Sequence, residues 1–406
     1  MRLAVVSPFV DRRHGTERVL AEVLERLAGK YGCEIHLYAQ RVEDLALAQS
    51  AASSGEECGG IIWHKVPRLP GPHLLGFLWW YFANQALRWF HRGFRSLRYD
   101  LVFSPGINCP DADAIMVHAL FHRLRDLARE EQNESARSAF FRRLHRRAYY
   151  SLLTWLERRI YTSSKASLAA VSRRTAALLN HYFHRQDVRV IPNGVDAAQF
   201  SPARRLALRT GARSRLNFLE SDFVLLLIGN DWHTKGLSTI LAAMAASPGI
   251  PLCLLVAGQD ATAPSFHQAA ESLGLSEKCR WQTASVEAID LYATADLCVS
   301  PTREDSFGLP VAEAMACALP VITSVLAGVS QIITEGVDGF ILNNPGDSAA
   351  LAQLVRQLYQ HPDLCRSVGE NAARTAQSFT WERTASETWE FLKQASARKS
   401  SSQRRP

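Results

Sequence analysis

The chain has 406 residues, long enough for two domains of ordinary size, and at 47% hydrophobic and 21% charged residues it is not a largely disordered one. The net charge of +7 resides in one half: residues 1–200 hold 28 Lys+Arg against 19 Asp+Glu, whereas 201–406 hold 18 against 20. The first half is therefore expected to face something anionic, a membrane surface or a nucleic acid. Eight cysteines (Cys33, Cys58, Cys109, Cys253, Cys279, Cys298, Cys317, Cys365) form no Cys-x-x-Cys pair, and several lie in apolar runs. They read as buried free thiols of a reducing compartment, without zinc-ligand spacing.

In chain order, four apolar residues before a polar stop fit a first strand, Leu3–Ser7, and not a secretion signal, so a cytoplasmic location is expected. Val19, Leu20, Val23 and Leu27 predict a helix over Thr16–Leu27. Further strands are predicted at Glu34–Tyr38, Tyr99–Ser104, Ala114–Val117, Leu168–Val171 and Val188–Ile191. The second half repeats the style, with strands at Phe223–Ile228, Leu252–Val256, Leu297–Val299 and Pro320–Thr323. Helices are expected near Leu237–Met244, Ser265–Leu273, Ala288–Ala293 and Ala312–Ala318. Such alternation implies parallel sheets with helices on both faces, hence an α/β fold of two doubly wound units with a cleft at the carboxyl ends of the strands.

Two segments of the first half stand out. Leu74–Arg98 carries no formal charge from Leu74 to Leu87, fourteen residues against the roughly 20 needed to span a bilayer. Arg88, Arg92, Arg95 and Arg98 follow. In Arg137–Ile160, Phe141, Leu144, Ala148, Leu152 and Trp155 share one side of a helical wheel, opposite Arg142, Arg143, Arg146 and Arg147. Aromatics beside clustered Arg suit a headgroup layer; a core-packing helix with a solvated basic face is the alternative.

Four local patterns carry candidate chemistry. Gly15 follows the first strand and opens a helix, whose N-terminus favours an anion. Asn230 and Lys235 lie in the turn after Phe223–Ile228, where a Lys is placed to neutralise a phosphate. Asp305, Ser306, Phe307, Gly308, Leu309 and Glu313 follow Leu297–Val299. There a helix start points its free N–H groups at a Phe-Gly turn, and carboxylates accept from sugar or ribose hydroxyls. Glu313 lies among Val311, Ala312, Ala314, Met315 and Ala316, so once buried it needs a partner. His118 ends a strand, where a satisfied core or surface His is the alternative.

The Gly15 turn, His118, Val190-Ile191-Pro192-Asn193-Gly194-Val195-Asp196, Lys235-Gly236 and Asp305 to Pro320 together resemble the retaining family-4 glycosyltransferases of GT-B fold. The second half is most similar to their lipopolysaccharide-core glucosyltransferase branch, on Ile228 to Asp231, Val256 to Asp260 and Ala295-Asp296-Leu297. The resemblance implies an acceptor-binding Rossmann-like domain over 1–195 and a donor-binding one over 196–378. A C-terminal helix over 379–396 would pack back toward the first domain, and 397–406 would be a disordered tail. It implies transfer of a hexose, glucose by preference, from a nucleotide diphosphate sugar such as UDP-glucose to a lipid-linked saccharide. The transfer would need no metal or other cofactor, at the inner face of the membrane and with no nucleic acid partner. Gly15 would face the donor diphosphate and Lys235 would pair with it. Phe307, Gly308 and Leu309 would hold phosphate and sugar, and Asp305 would contact sugar hydroxyls. Glu313 would grip the ribose, His118 would lie near the transferred sugar, and Ser285 would contact the base. Two positions depart from the family. Asp305 stands where Glu is usual, with Glu304 adjoining. Asn230 stands where an Arg is usual, a loss that Arg303, His233 or Arg18 would make good. A sugar-nucleotide epimerase, a phosphorylase and a non-catalytic binding protein are the competing readings.

Overall fold

The computed structural model describes residues 1–47, 59–132, 140–283 and 287–403. They form two compact units, Met1–Pro192 with Trp381–Pro406, and Asn193–Thr380. In the first, seven parallel strands run in the order Gly60–Lys65, Glu34–Ala39, Arg2–Val6, Leu101–Ser104, Ala114–Val117, Ser167–Ala170, Val188–Val190. In the second, six run in the order Cys279–Gln282, Leu252–Ala257, Phe223–Ile228, Leu297–Ser300, Val321–Ser324, Phe340–Leu342. Runs such as Phe223-Val224-Leu225-Leu226-Leu227-Ile228 are apolar throughout because helices cover both faces of a parallel sheet. Each unit has its own core, around Tyr38, Val102, Ile115 and Leu153 in the first and Leu227, Leu241, Leu254 and Val299 in the second.

Strand order reverses once in each unit, between Arg2–Val6 and Leu101–Ser104, and between Phe223–Ile228 and Leu297–Ser300. At these points the following loops diverge and leave a crevice at the carboxyl edge.

Three differences from the sequence expectation have physical causes. The C-terminal helix runs Trp381–Gln403 and belongs to the first unit, where a disordered tail was expected from Ala397. Its last turns are held by Lys399 Nζ, which donates to Asp113 Oδ2 (2.8 Å) and Asp100 O (2.9 Å), and by Arg398 on Ser164 O. The helix Phe140–Tyr161 packs on Leu153, Leu156 and Ile160, leaving Ala148 and Trp155 exposed. Its register is set by Glu157, fully buried, which accepts from the amides of Phe121 and His122 and so caps the helix Phe121–Gln132. The side chains of Phe141, Arg142, Arg143 and Leu144 lie outside the described residues. A helix over Pro202–Arg215, which no apolar stripe announces, is anchored instead by arginines. Arg209 and Arg213 both reach Asp296 (2.5 and 2.6 Å), and Arg205 donates to Tyr292 O and Ala295 O.

Among the described residues no helix is long and apolar enough to cross a membrane. The seven described cysteines are free, five of them buried; Cys58 lies outside the described residues.

Candidate active site

The loops after Phe223–Ile228 and Leu297–Ser300 meet at the reversal point of the second unit. Thr234 O accepts from Arg303 N (2.7 Å) and from Thr302 Oγ1 (3.0 Å). Gly236, at φ 81°, allows the approach: a Cβ there would lie 2.2 Å from Pro301 O. The outcome is an ion pair that joins the two loops. Lys235 Nζ donates to Asp305 Oδ2 at 2.5 Å, both side chains being largely but not wholly buried.

Asp305 is fixed from two sides. Its Oδ1 accepts from Phe307 N (3.2 Å), while its own backbone bridges to Ala327, with Gly328 N donating to Asp305 O (2.8 Å). The next residues turn through Gly308, at φ 97°, which opens the helix Leu309–Ala316. No side chain caps that helix, and its first turn holds no acid. Its amino end therefore faces the Lys235–Asp305 pair with backbone N–H groups available to an anion. Ser306 and Phe307 complete the turn, Phe307 being buried.

Asn230 lies one loop away, where Oδ1 accepts from Gln259 N (2.8 Å) and ties the turn after Phe223–Ile228 to the turn after Leu252–Ala257. Arg303 Nη1 and His233 Nε2 are 3.3 Å apart beside Thr234, so two of the three residues expected to make good the missing Arg lie at this loop. Arg18 belongs to the first unit.

Glu313 is buried one turn into the helix, and the partner it needs is Tyr292, whose hydroxyl donates to Glu313 Oε2 at 2.6 Å. Burial first, and then the neighbouring Glu313 charge, hold the Tyr292 hydroxyl well above its ordinary pKa, so it remains a donor. Tyr292 is the functional neighbour that sequence reading missed. It lies in the apolar run of the helix Ala288–Thr294 and looks like core. The only cue was that two polar groups in apolar helices each needed a partner.

In the first unit, the loops after Arg2–Val6, Leu101–Ser104 and Ala114–Val117 surround a cavity of about 400 Å³. Gly15 begins the helix Gly15–Tyr31 and Thr16, next to it, lines the cavity together with His118. Before Gly15, Asp11 takes the amides of Arg13 and His14 (2.8 and 2.9 Å). His118 is buried and makes no hydrogen bond among the described residues; burial lowers its pKa to about 4, so its imidazole is neutral at pH 7. Gly15 and His118 thus belong to one unit, and Lys235, Asp305, Phe307, Gly308 and Leu309 to the other. Ser285 lies outside the described residues, and no cluster able to hold a metal occurs among those described.

Two doubly wound units, one of them with a lysine–carboxylate pair beside an uncapped helix end, are the architecture of the GT-B fold. Residues 13–199 match the family model Glycosyltransferase Family 4 and residues 209–375 match Glycosyl transferases group 1, and the chain belongs to this family of two-domain GT-B proteins. It is 30% identical over 208 residues to a D-inositol 3-phosphate glycosyltransferase of Segniliparus rotundus, covering 49% of this chain and 45% of that protein. The chain spans about half the length of the curated relatives it matches. Its fold is that of WaaG, a glycosyltransferase involved in lipopolysaccharide biosynthesis, with TM-score 0.73, 19% identity and coverage of 95% and 98% of the two chains. Anabaena HepE, solved in complex with UDP-glucose, aligns with TM-score 0.68 and 18% identity over 97% and 100%.

Proposed function

We propose that this chain transfers a hexose, glucose by preference, from a nucleotide diphosphate sugar to a lipid-linked saccharide of the cell envelope, with retention at the anomeric carbon. The observation that carries the reading is the Lys235–Asp305 pair set against the open amino end of the helix Leu309–Ala316. The UDP-glucose named for the Anabaena structure and the lipopolysaccharide role named for WaaG support the choice of donor and acceptor class.

As the glycosidic bond breaks, the leaving diphosphate gains negative charge. Lys235 and the N–H groups around Gly308 and Leu309 are preorganised to stabilise it, a contribution that grows in the transition state and so raises the rate. Asp305 exchanges its contact with Lys235 for hydroxyls of the transferred sugar, and Glu313, oriented by Tyr292, accepts from the ribose. The leaving phosphate takes the acceptor's proton on the same face, so no pair of carboxylates acting as acid and nucleophile is required. The scheme uses no metal.

The basic first unit is assigned to an anionic bilayer surface. Its helix His73–Phe94 leaves Phe82, Trp89 and Phe94 exposed, Trp89 and Phe94 by 72% and 74%, with Arg92, Arg95 and Arg98 exposed at its end. A mass-spectrometric assay of glucosyl transfer tests the chemistry. Lys235→Ala is expected to lose at least tenfold in rate, about 1.4 kcal/mol of transition-state stabilisation. An unchanged rate removes Lys235 from the mechanism.

A further inference from the structure

Three residues, His118-Ala119-Leu120, connect the strand Ala114–Val117 to the helix Phe121–Gln132. His118 lines the cavity of the first unit, is 8% exposed and makes no hydrogen bond among the described residues. With no bond of its own to orient it, its place depends on the backbone at the two ends of this connection. At one end Val117 is paired with Ala170 in the sheet. At the other end the hold comes from Glu157.

The helix Phe121–Gln132 opens with Leu120 O accepting from Leu124 N (3.0 Å). A Ser, Thr or Asp at position 120 would cap the first turn locally. Leu120 is instead buried in the core, and the cap arrives from 36 residues further along the chain. One oxygen of Glu157 accepts from Phe121 N (2.6 Å), and the other accepts from His122 N (2.9 Å) and His122 Nδ1 (2.7 Å). A carboxylate only accepts, so Nδ1 carries the proton of that imidazole. The His122 ring packs against Tyr182 and Phe183, with centroids 5.2 and 4.9 Å away. Taking a carboxylate wholly out of water is costly, and a surface cap would serve the helix alone as well. What the buried carboxylate adds is a fixed point. Its three hydrogen bonds tie the start of one helix to a second helix, whose Leu153, Leu156 and Ile160 are set in the core.

We propose that Glu157 is a positioning residue of the transfer reaction: by clamping Phe121 and His122 it fixes the connection His118-Ala119-Leu120, and so holds the His118 imidazole and the Phe121 ring at the cavity wall. This rests on the transferase reading, in which His118 meets the transferred sugar. A neutral imidazole offers that sugar one N–H donor and one acceptor nitrogen. A displacement of about 1 Å is enough to cost on the order of a hundredfold in rate, so the clamp acts on the chemistry without touching it.

The full chain and its variants are assayed with whichever of UDP-glucose, GDP-mannose and UDP-N-acetylglucosamine the wild type binds most tightly, by release of the nucleoside diphosphate with water as acceptor. The His118 imidazole is followed separately by NMR down to about pH 5, without donor. Glu157→Gln is expected to lower kcat about tenfold while donor affinity stays within about twofold. In the wild type the His118 ring, which titrates near 4, stays neutral over this range; in Glu157→Gln it takes up a proton. His118→Gln is expected to lose a similar factor, and adding Glu157→Gln to it costs nothing further. A cap that serves the helix alone would lower kcat equally in both backgrounds and leave the His118 titration unmoved, and that result overturns the proposal. So does a folded Glu157→Gln with unchanged kcat and titration. His122→Leu keeps both amide bonds and removes only the Nδ1 donor; a loss of about threefold with the same dependence on background is expected, and it serves if Glu157→Gln folds poorly. If water is too poor an acceptor, the titration decides: a proton gained by His118 supports the clamp, and an unmoved ring overturns it. If the donor is turned over and His118→Gln is fully active, the positioning role is overturned while the transferase reading stands. If the wild type binds no donor, the transferase reading fails, and the role assigned to Glu157 falls with it.

Discussion

Lys235 and Asp305 neutralise each other, so a diphosphate has to displace a carboxylate to reach the lysine. Asp305→Asn keeps the shape of the turn and removes that competitor. It is expected to bind UDP at least as tightly as the wild type, by calorimetry, while glucosyl transfer falls at least tenfold because the sugar loses its carboxylate. A parallel loss of both would mean that Asp305 serves only to shape the loop. Tyr292→Phe deprives the buried Glu313 of a charge-assisted hydrogen bond and should cost about 2 kcal/mol in chemical denaturation. His118 titrates near 4 in the folded chain against about 6.5 unfolded, so the unfolded chain binds more protons between those values. Stability is therefore complete above pH 6.5 and falls by about 3 kcal/mol toward pH 4, and His118→Gln should flatten that slope.

At the scale of elements, the helix His73–Phe94 buries Trp80 and Tyr81 in the core and leaves Phe82, Trp89 and Phe94 exposed. Trp89→Ser with Phe94→Ser removes exposed aromatic surface far from the cavity wall, and vesicle flotation on anionic lipid should drop severalfold with the fold intact by circular dichroism. Unaltered flotation would remove this face from the membrane assignment. The strands of both units were legible wherever the residues were uniformly apolar, as in Phe223–Ile228 and Ala114–Val117. The edge strands Gly60–Lys65, Cys279–Gln282 and Phe340–Leu342 were not, being short or carrying His64, Lys65, Arg280 and Gln282 toward a half-covered face. The helix Pro202–Arg215 escaped because its packing face is Arg205, Arg209 and Arg213, a spacing of four that an apolar count does not see. Asp296→Ala should cost about 3–5 kcal/mol, since it leaves Arg213 buried and unpaired by any carboxylate.

For the whole molecule, the alternation of strand and helix in each half pointed to two doubly wound units. In the loop from Asp305 to Glu313, an acid within an apolar helix announced a buried carboxylate in need of a partner, and Glu313 is buried with Tyr292 as that partner. What remained hidden was pairwise. No spacing tells that Lys235 meets Asp305 across seventy residues, that Tyr292 serves Glu313, or that Trp80 keeps an unpaired indole N–H. Such contacts are set by strand order, which brings the loops after Phe223–Ile228 and Leu297–Ser300 side by side although other strands intervene in sequence. The central claim is that the second unit holds a nucleotide diphosphate sugar at Lys235. Calorimetric titration of the wild type and Lys235→Ala with UDP-glucose, GDP-mannose and a UDP-N-acetylhexosamine tests it most directly. The account predicts binding of at least one donor, UDP-glucose foremost, weakened at least tenfold in Lys235→Ala; no binding of any donor, or equal binding by the variant, would contradict it.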